Sequence, residues 1–468
     1  VRYISTRGEA PILSFDQVLL AGLAEDGGLY VPESWPQFTA DDLREMRGLT
    51  YPELAIRIMT PFIGDRIEPA DFATIVHETY DDFGHPAVAP MVQLGPDFWL
   101  LELFHGPTLA FKDVAMQLLG RLFDHVLNKR GERITIVGAT SGDTGAAAIE
   151  ACRGRSAIEI FMLYPHERVS DVQRRQMTTV DAPNVHTIAV EGTFDDCQDL
   201  IKAMFNDAGL RNELKLSAVN SINWARVMAQ IVYYFHAALS LGAPDRTVNF
   251  AVPTGNFGNV YAGYAARAMG LPIDEFIVAS NSNDILTRFF DSNDMSISGV
   301  EPTLSPSMDI QVSSNFERLL FDLLDRDGEA VKGAMARFRD KGALPLDEAQ
   351  WRTATELFAG YKVDDTRTKQ VIAEIFAKTG VLIDPHSAVG VDAASVRRPD
   401  GGDPLVALAT AHPAKFPDAV EAAAGLRPDL PARLADLHER DEHMKILPNS
   451  LDALRDFVRE TSALRGAA

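Results

Sequence analysis

From about residue 93 onward, short β-branched apolar runs alternate with longer amphipathic ones, and this alternation limits the fold more than any other feature. The runs are RITIVGA (133–139), IEIFMLY (158–164), VHTIAV (185–190), LKLSAV (214–219), VNFAVP (248–253), EFIVAS (275–280) and PLVALAT (404–410). Each is a short, mainly apolar run of strand length. Helical stretches separate most of them, which predicts an α/β fold of mostly parallel sheets covered by helices. Ligands in such folds bind at the C-terminal ends of strands. The 468 residues suffice for two or three domains. Residues 1–92, where helical patterns mix with turns such as AEDGGLYVPESWP, are expected to form an N-terminal cap domain. The stretch MAQIVYYFHAALSLGA (228–243) is interrupted by Gln230 and His236 and falls short of the ~20 residues of a membrane span. It predicts a buried helix. Long charged helices are expected in LFDLLDRDGEAVKGAMARFRD (320–340), and a packed helical, acidic extension after residue 426.

Charge and cysteine usage narrow the function. Lysine and arginine number 44 against 66 acidic residues, a net charge of -22, the opposite of the basic footprint of a nucleic-acid binder. A small anionic ligand remains compatible, because a few arginines and amides suffice for it. Cys152 and Cys197 are the only cysteines, which yields neither a disulfide framework nor a thiolate metal site and makes a reducing cytoplasm the expected compartment. The opening VRYISTRGEAPILSF lacks the basic-then-apolar pattern of a signal peptide. His438 and His443 in HERDEH are five apart, whereas a zinc helix needs four, so no metal site is expected there.

Three turns after expected strands carry candidate chemistry. GATSGDTGAAA (138–148) puts Ser141, Gly142, Asp143 and Thr144 at a helix start, where unpaired amides and the dipole suit a carboxylate or phosphate. It reads equally as a capped turn with no ligand. PTGNFGNVYAG (253–263) offers the amides of Gly255, Asn256, Phe257, Gly258 and Asn259 as a phosphate cradle, but has neither common nucleotide-binding glycine pattern. ALATAHPAKF (407–416) leaves Thr410 at a strand end. In HGPTLAFKDVA (105–115), Lys112 stands among apolar neighbours ahead of a helical run.

A lysine amine, an anion turn, a phosphate cradle and a strand-end hydroxyl together suit pyridoxal 5'-phosphate. That cofactor needs an amine for its aldehyde, a nest for its phosphate and a partner for its ring nitrogen. HGPTLAFKD, ATSGDTG, VNSINWAR (219–226), PTGNFGN, DPHSAVG (384–390) and AHPAKF, together with DGGLYVPE (26–33), resemble the long form of the threonine synthases, a fold-type-II pyridoxal phosphate family. The resemblance spans essentially the whole chain. It implies a two-domain fold-type-II architecture with the N-terminal cap, residues 93–130 with 229–468 as the large domain and 131–228 as a small mobile one. It implies that Lys112 binds the cofactor as a Schiff base, that Gly255, Asn256, Phe257, Gly258 and Asn259 bind its phosphate, and that Thr410 faces its pyridine nitrogen. Asp143 would serve the ring-oxygen side, and Ser141, Gly142 and Thr144 the substrate carboxylate. Asn223 and Arg226 are the expected ligands of the substrate phosphate. Asn259 stands where some relatives carry aspartate. The implied reaction turns O-phospho-L-homoserine and water into L-threonine and phosphate. The competing readings are a related dehydratase or phospholyase, and a phosphate-binding protein without catalysis.

Overall fold

The expected apolar runs assemble into two sheets in a computed structural model that describes residues 1–218, 220–344, 346–397 and 402–462. The chain divides into two units, Val1–His105 with Ser221–Pro428, and Gly106–Asn220 with Asp429–Ala468. The N-terminal residues therefore join the larger unit instead of standing apart as a cap. The smaller unit begins at 106, not 131, and claims the C-terminal segment. The reason is pairing: the strand Lys445–Pro448 runs parallel to Val185–Glu191, so the last stretch of chain completes the smaller unit's sheet.

In the larger unit the sheet order is Phe358–Lys362, Phe276–Ser280, Asn249–Pro253, Leu405–Ala409, Phe98–Glu102 and Met91–Gly95. All neighbours are parallel except the last pair. That pair is a hairpin turned by Gly95, Pro96 and Asp97, with Asp97 at φ 53. Strands Asn249–Pro253, Phe276–Ser280 and Leu405–Ala409 are buried at every residue, as their uninterrupted hydrophobicity requires. Each Val, Leu or Ile so buried contributes roughly 1.5–3 kcal/mol. The chain winds one way from Asn249–Pro253 to Phe276 and Phe358, then returns to lay Leu405–Ala409 on the other flank of Asn249–Pro253. This is a topological switch point, the place where α/β sheets bind ligands.

The smaller unit has a five-stranded parallel sheet in the order Lys445–Pro448, Val185–Glu191, Ile158–Pro165, Ile134–Ala139 and Leu216–Ser217. The run LKLSAV thus shrinks to a two-residue edge strand, and its final Val219 lies outside the described residues. The stretch around 228–243 is the helix Trp224–Ser240, buried along most of its length. The helical run 320–340 is broken into Phe316–Leu323 and Gly328–Lys341, because Asp325 and Arg326 between them adopt φ 52 and 60. No helix among the described residues is long and apolar enough to cross a membrane.

Candidate active site

Lys112 opens the helix Lys112–Arg130 in the smaller unit and is 8% exposed. The turn that delivers it is locked by its neighbour: Asp113, fully buried, accepts hydrogen bonds from Thr108 N (2.8 Å) and Thr108 Oγ1 (2.7 Å). Gly106 has to be glycine, since a Cβ there would lie 2.3 Å from Asp113 Cβ. Gln176 Nε2 donates to Thr108 O at 3.1 Å, and the Arg433 guanidinium grips Gly106 O. In the Lys-Asp pair the aspartate is the lock and the lysine the displayed group.

Lys112 Nζ lies 5.5 Å from the Phe111 ring centroid and donates to Asp143 Oδ2 at 3.2 Å. Asp143 begins the helix Asp143–Cys152 and accepts at Oδ1 from Gln173 Nε2 (2.9 Å). Gln173 has no freedom to flip, because its Oε1 accepts from Ser170 Oγ (3.1 Å) in the capping box of Asp171–Thr178. Gly142 is glycine for two reasons: its φ is 144, and a Cβ would meet Gln173 Cδ at 2.5 Å. Thr140 Oγ1 holds the turn by accepting from Gly142 N (3.0 Å) and Gly145 N (2.9 Å). Ser141 is exposed and Thr144 half-buried at this helix start. The two helices run side by side in one direction. Eight residues past Lys112 and Asp143 come Gly120 and Ala151, and a Cβ on Gly120 would be 2.2 Å from Ala151 O. Gln173 and Thr140 were not singled out from the sequence, although the S-x-x-Q of SDVQ carries the capping-box signal that places Gln173.

In the larger unit, the loop after Asn249–Pro253 turns at Phe257, which adopts φ 60 to start the helix Gly258–Ala268. The Phe257 ring is buried against Phe290, Phe316 and Phe358, so only its backbone is available to a ligand. A second segment clasps the loop. Ser313 Oγ donates to Gly255 O (2.7 Å), Asn315 Nδ2 to Asn256 O (2.9 Å), and a Cβ on Gly255 would meet Ser307 O at 2.6 Å. Asn259 is 6% exposed; its Oδ1 accepts from the hydroxyls of Tyr233 and Tyr234, which aims Nδ2 the other way. That Nδ2 is buried and finds no hydrogen-bond partner among the described residues.

The structure separates the two candidates in SINWAR. Asn223 is the N-cap of Trp224–Ser240: its Oδ1 accepts from Ala225 N (3.0 Å) and its Nδ2 donates to Leu19 O (2.8 Å). Those bonds correct the expectation of a phosphate ligand, because the side chain is buried and engaged with backbone. Arg226 is different. It is buried, and Nε and Nη1 have no hydrogen-bond partner among the described residues. Burial pulls its pKa down to about 10. It also sits in the first turn of a helix, where the dipole opposes a cation. Arg226, Gln230, Tyr233 and Tyr234 recur at helical spacing on one face, the face whose tyrosines reach Asn259. The two helix starts are close, with Ser221 O 3.9 Å from a Cβ built on Gly258. The buried, unpaired Arg226 Nε and Nη1 and Asn259 Nδ2 are donors that an anionic group would satisfy.

Thr410 follows the strand Leu405–Ala409 and is 6% exposed; its N–H donates to Ser387 Oγ at 3.2 Å. The strand pairs with Asn249–Pro253, so Thr410 and the Gly255–Asn259 loop leave the C-terminal ends of adjacent strands.

Three family profiles match the chain in order. They are described as Threonine synthase N terminus (residues 2–80), Pyridoxal-phosphate dependent enzyme (86–338) and Threonine synthase, C-terminal (387–458). A threonine synthase of Pseudomonas aeruginosa is 58% identical over 461 residues, 98% of each chain. The chain belongs to the threonine synthase family. Among solved structures, the PLP-bound threonine synthase from Brucella melitensis superposes with a TM-score of 0.97 at 55% identity, covering 99% of both chains. Threonine synthase from yeast does so with a TM-score of 0.94 at 39% identity, covering 98% of both. The architecture is accordingly the fold-type-II one. The residues present fit the pyridoxal phosphate of the threonine synthases: a buried lysine amine, and a glycine loop backed by the unpaired Asn259 Nδ2 and Arg226 guanidinium.

Proposed function

We propose that the chain converts O-phospho-L-homoserine and water into L-threonine and phosphate, the last step of threonine biosynthesis, using pyridoxal 5'-phosphate. The observation that carries this reading is the 58% identity, spread over 98% of both chains, to a threonine synthase. The cofactor, when bound, supplies the electron sink for negative charge on the substrate carbons. Lys112 Nζ would hold the cofactor covalently. The Lys112 amine would also take the substrate Cα proton and return a proton to the neighbouring carbons. Asp143 Oδ2, at 3.2 Å, orients that amine and is in turn oriented by Gln173. Asp143 also serves the ring-oxygen side of the cofactor.

The backbone of Gly255, Asn256, Phe257 and Gly258 and the Asn259 amide bind the cofactor phosphate. Arg226 is assigned to that same phosphate and not to the substrate's, because the tyrosines that bond Asn259 recur at helical spacing from it. Thr410 would offer the pyridine nitrogen a neutral hydroxyl in place of a carboxylate. Ser141, Gly142 and Thr144 bind the substrate carboxylate at a helix start. The substrate is a small molecule. Two buried free cysteines, Cys152 and Cys197, favour a reducing cytoplasm.

The test is to mix cofactor-loaded protein with O-phospho-L-homoserine and quantify threonine and phosphate together. Equal release is expected, and Lys112→Ala abolishes both along with the absorbance of the bound cofactor. Phosphate accompanied by 2-oxobutanoate moves the chain to the phospholyases. No release from visibly loaded protein refutes the substrate assignment.

A further inference from the structure

The segment DPHS, at the start of the helix Pro385–Arg397, holds a buried network whose bonds run out of the helix in two directions. Asp384 is fully buried and central to it. Its Oδ1 accepts from Ser387 N (2.9 Å) and from the Ser387 hydroxyl, and its Oδ2 accepts from His386 N (3.0 Å) and His386 Nδ1 (2.7 Å). The backbone bonds are ordinary helix capping. The side-chain bonds are not, because each of the two side chains carries a second bond to a different part of the larger unit. Ser387 Oγ accepts from Thr410 N at 3.2 Å. His386 Nε2 accepts from Ser307 N at 3.2 Å.

Donor and acceptor roles in this network are fixed by elimination. A backbone N–H can only donate, so His386 Nε2 bears no proton and Nδ1 carries the one given to Asp384. The ring is the neutral Nδ1–H form, 3% exposed, with Phe416 packed 4.8 Å from it. The Ser387 hydroxyl hydrogen is committed to Asp384, so its oxygen only accepts. One carboxylate thereby orders two chains of bonds, one ending at the Thr410 backbone and the other at Ser307. Ser307 is the residue whose carbonyl occupies the space a side chain on Gly255 would need. The network therefore touches both ends of the cofactor half-site in this unit: the hydroxyl residue assigned to the pyridine nitrogen and the loop assigned to the phosphate.

We propose that Ser387 and His386, ordered by Asp384, are positioning residues that set the cofactor's pyridine partner and its phosphate loop in one geometry. A satisfied buried polar network of this kind fixes directions that an apolar core leaves loose. The proposal rests on the cofactor assignments above but not on the identity of the substrate.

The experiment compares full-length, cofactor-loaded Ser387→Ala, His386→Asn and His386→Gln with wild type, reading the visible absorbance and circular dichroism of the bound cofactor, its Kd, kcat and KM. Ser387→Ala removes the acceptor for Thr410 N. Its visible dichroism changes and kcat falls about tenfold, with KM and cofactor Kd within about twofold, the size of one lost hydrogen bond. His386→Asn keeps a donor for Asp384 but no acceptor for Ser307 N, and raises the cofactor Kd about tenfold. His386→Gln puts an acceptor near the Nε2 position and restores most of that affinity. The idea is overturned if Ser387→Ala matches wild type in spectrum and kcat, or if the two His386 variants bind cofactor equally well. Should the His386 variants fail to fold, Ser387→Ala alone decides. If wild type holds the cofactor yet releases no threonine, the substrate reading fails while the spectra and Kd values still test the network.

Discussion

Gly120 offers a way to move Lys112, the lysine proposed as catalytic, without touching it. A methyl group at this position would lie 2.2 Å from Ala151 O and 2.8 Å from Ala151 C, and both obstacles are backbone. Reaching ordinary contact requires the helices Lys112–Arg130 and Asp143–Cys152 to part by roughly 1 Å. Overpacking of this kind costs about 1–3 kcal/mol. Alanine's better helix propensity returns about 1 kcal/mol, so Gly120→Ala loses only about 0–2 kcal/mol of stability. Activity is hit harder, because Lys112 and Asp143 start the same two helices and their 3.2 Å contact depends on the same spacing. A displacement near 1 Å at reacting groups costs up to about 100-fold. Gly120→Ala should therefore lower kcat by roughly 10–100-fold in protein that unfolds within a few degrees of wild type. The assay pairs threonine release with thermal denaturation of the loaded enzyme. A folded Gly120→Ala with kcat within twofold of wild type would refute the argument that helix spacing sets the lysine.

Arg226→Leu removes a buried cation that lacks protein partners, so the cofactor-free protein should become more stable by about 1–4 kcal/mol, while the gain in Tm on adding pyridoxal phosphate shrinks. Denaturation with and without cofactor checks both, and a less stable cofactor-free variant would count against an anion site. Asn259→Asp keeps acceptors for the two tyrosine hydroxyls but turns the unpaired donor into an acceptor; cofactor Kd, by equilibrium dialysis, should rise about tenfold. His236 gives an acid-stability signature. Burial lowers its pKa from 6.5 to about 4, against the opposing bond with the Ala89 backbone. The unfolded chain therefore binds a proton that the folded one refuses. The contribution is complete above pH 6.5 and is lost as pH falls toward 4, about 3 kcal/mol in all. His236→Phe should flatten the slope of stability against pH in that window; an unchanged slope would assign the acid sensitivity elsewhere.

The sheet-forming runs were legible because a strand buried on both faces leaves no room for polar residues, as Leu405–Ala409 and Asn249–Pro253 show. Apart from Phe98–Glu102, which is apolar and buried at Phe98, Leu100 and Leu101 yet was not among the expected runs, the elements that escaped are those where hydrophobicity does less of the work. Phe358–Lys362 carries Gly360, forced by the Thr287 backbone 2.8 Å from where its Cβ would be, and ends on an exposed lysine. The hairpin partner Met91–Gly95 is mostly half-buried. Lys445–Pro448 is exposed at three of four positions and is a strand only because Val185–Glu191 offers it an edge. The place of the C-terminal segment in the smaller unit was hidden for the same reason, since a pairing between residues about 260 apart has no local mark in the sequence.

The site was legible where a residue acts through its own chemistry and hidden where it acts through another. Lys112, the glycine loop and Thr410 stand out as candidates by type and place; Thr140, Gln173 and Ser387 are ordinary polar residues that stand out only through what they hold. The arginines make the point most sharply. Arg226 and Arg318 both lie near helix starts, both are buried, and burial lowers both to a pKa of about 10. Arg318 donates to Tyr30 O, Ile222 O and Asn315 Oδ1, so its charge ties the strand Tyr30–Pro32 to the clasp over the glycine loop. Arg226 has Nε and Nη1 left over. Nothing in NWAR or FERLL distinguishes them, because the difference lies in whether distant carbonyls arrive to receive the guanidinium. Arg318→Leu should consequently strand those carbonyls and destabilise the protein with or without cofactor, by about 3–5 kcal/mol, where Arg226→Leu stabilises the cofactor-free form. Denaturation curves of the two variants with opposite signs are the expected result, and equal signs would mean that leftover donors do not mark the ligand-binding arginine.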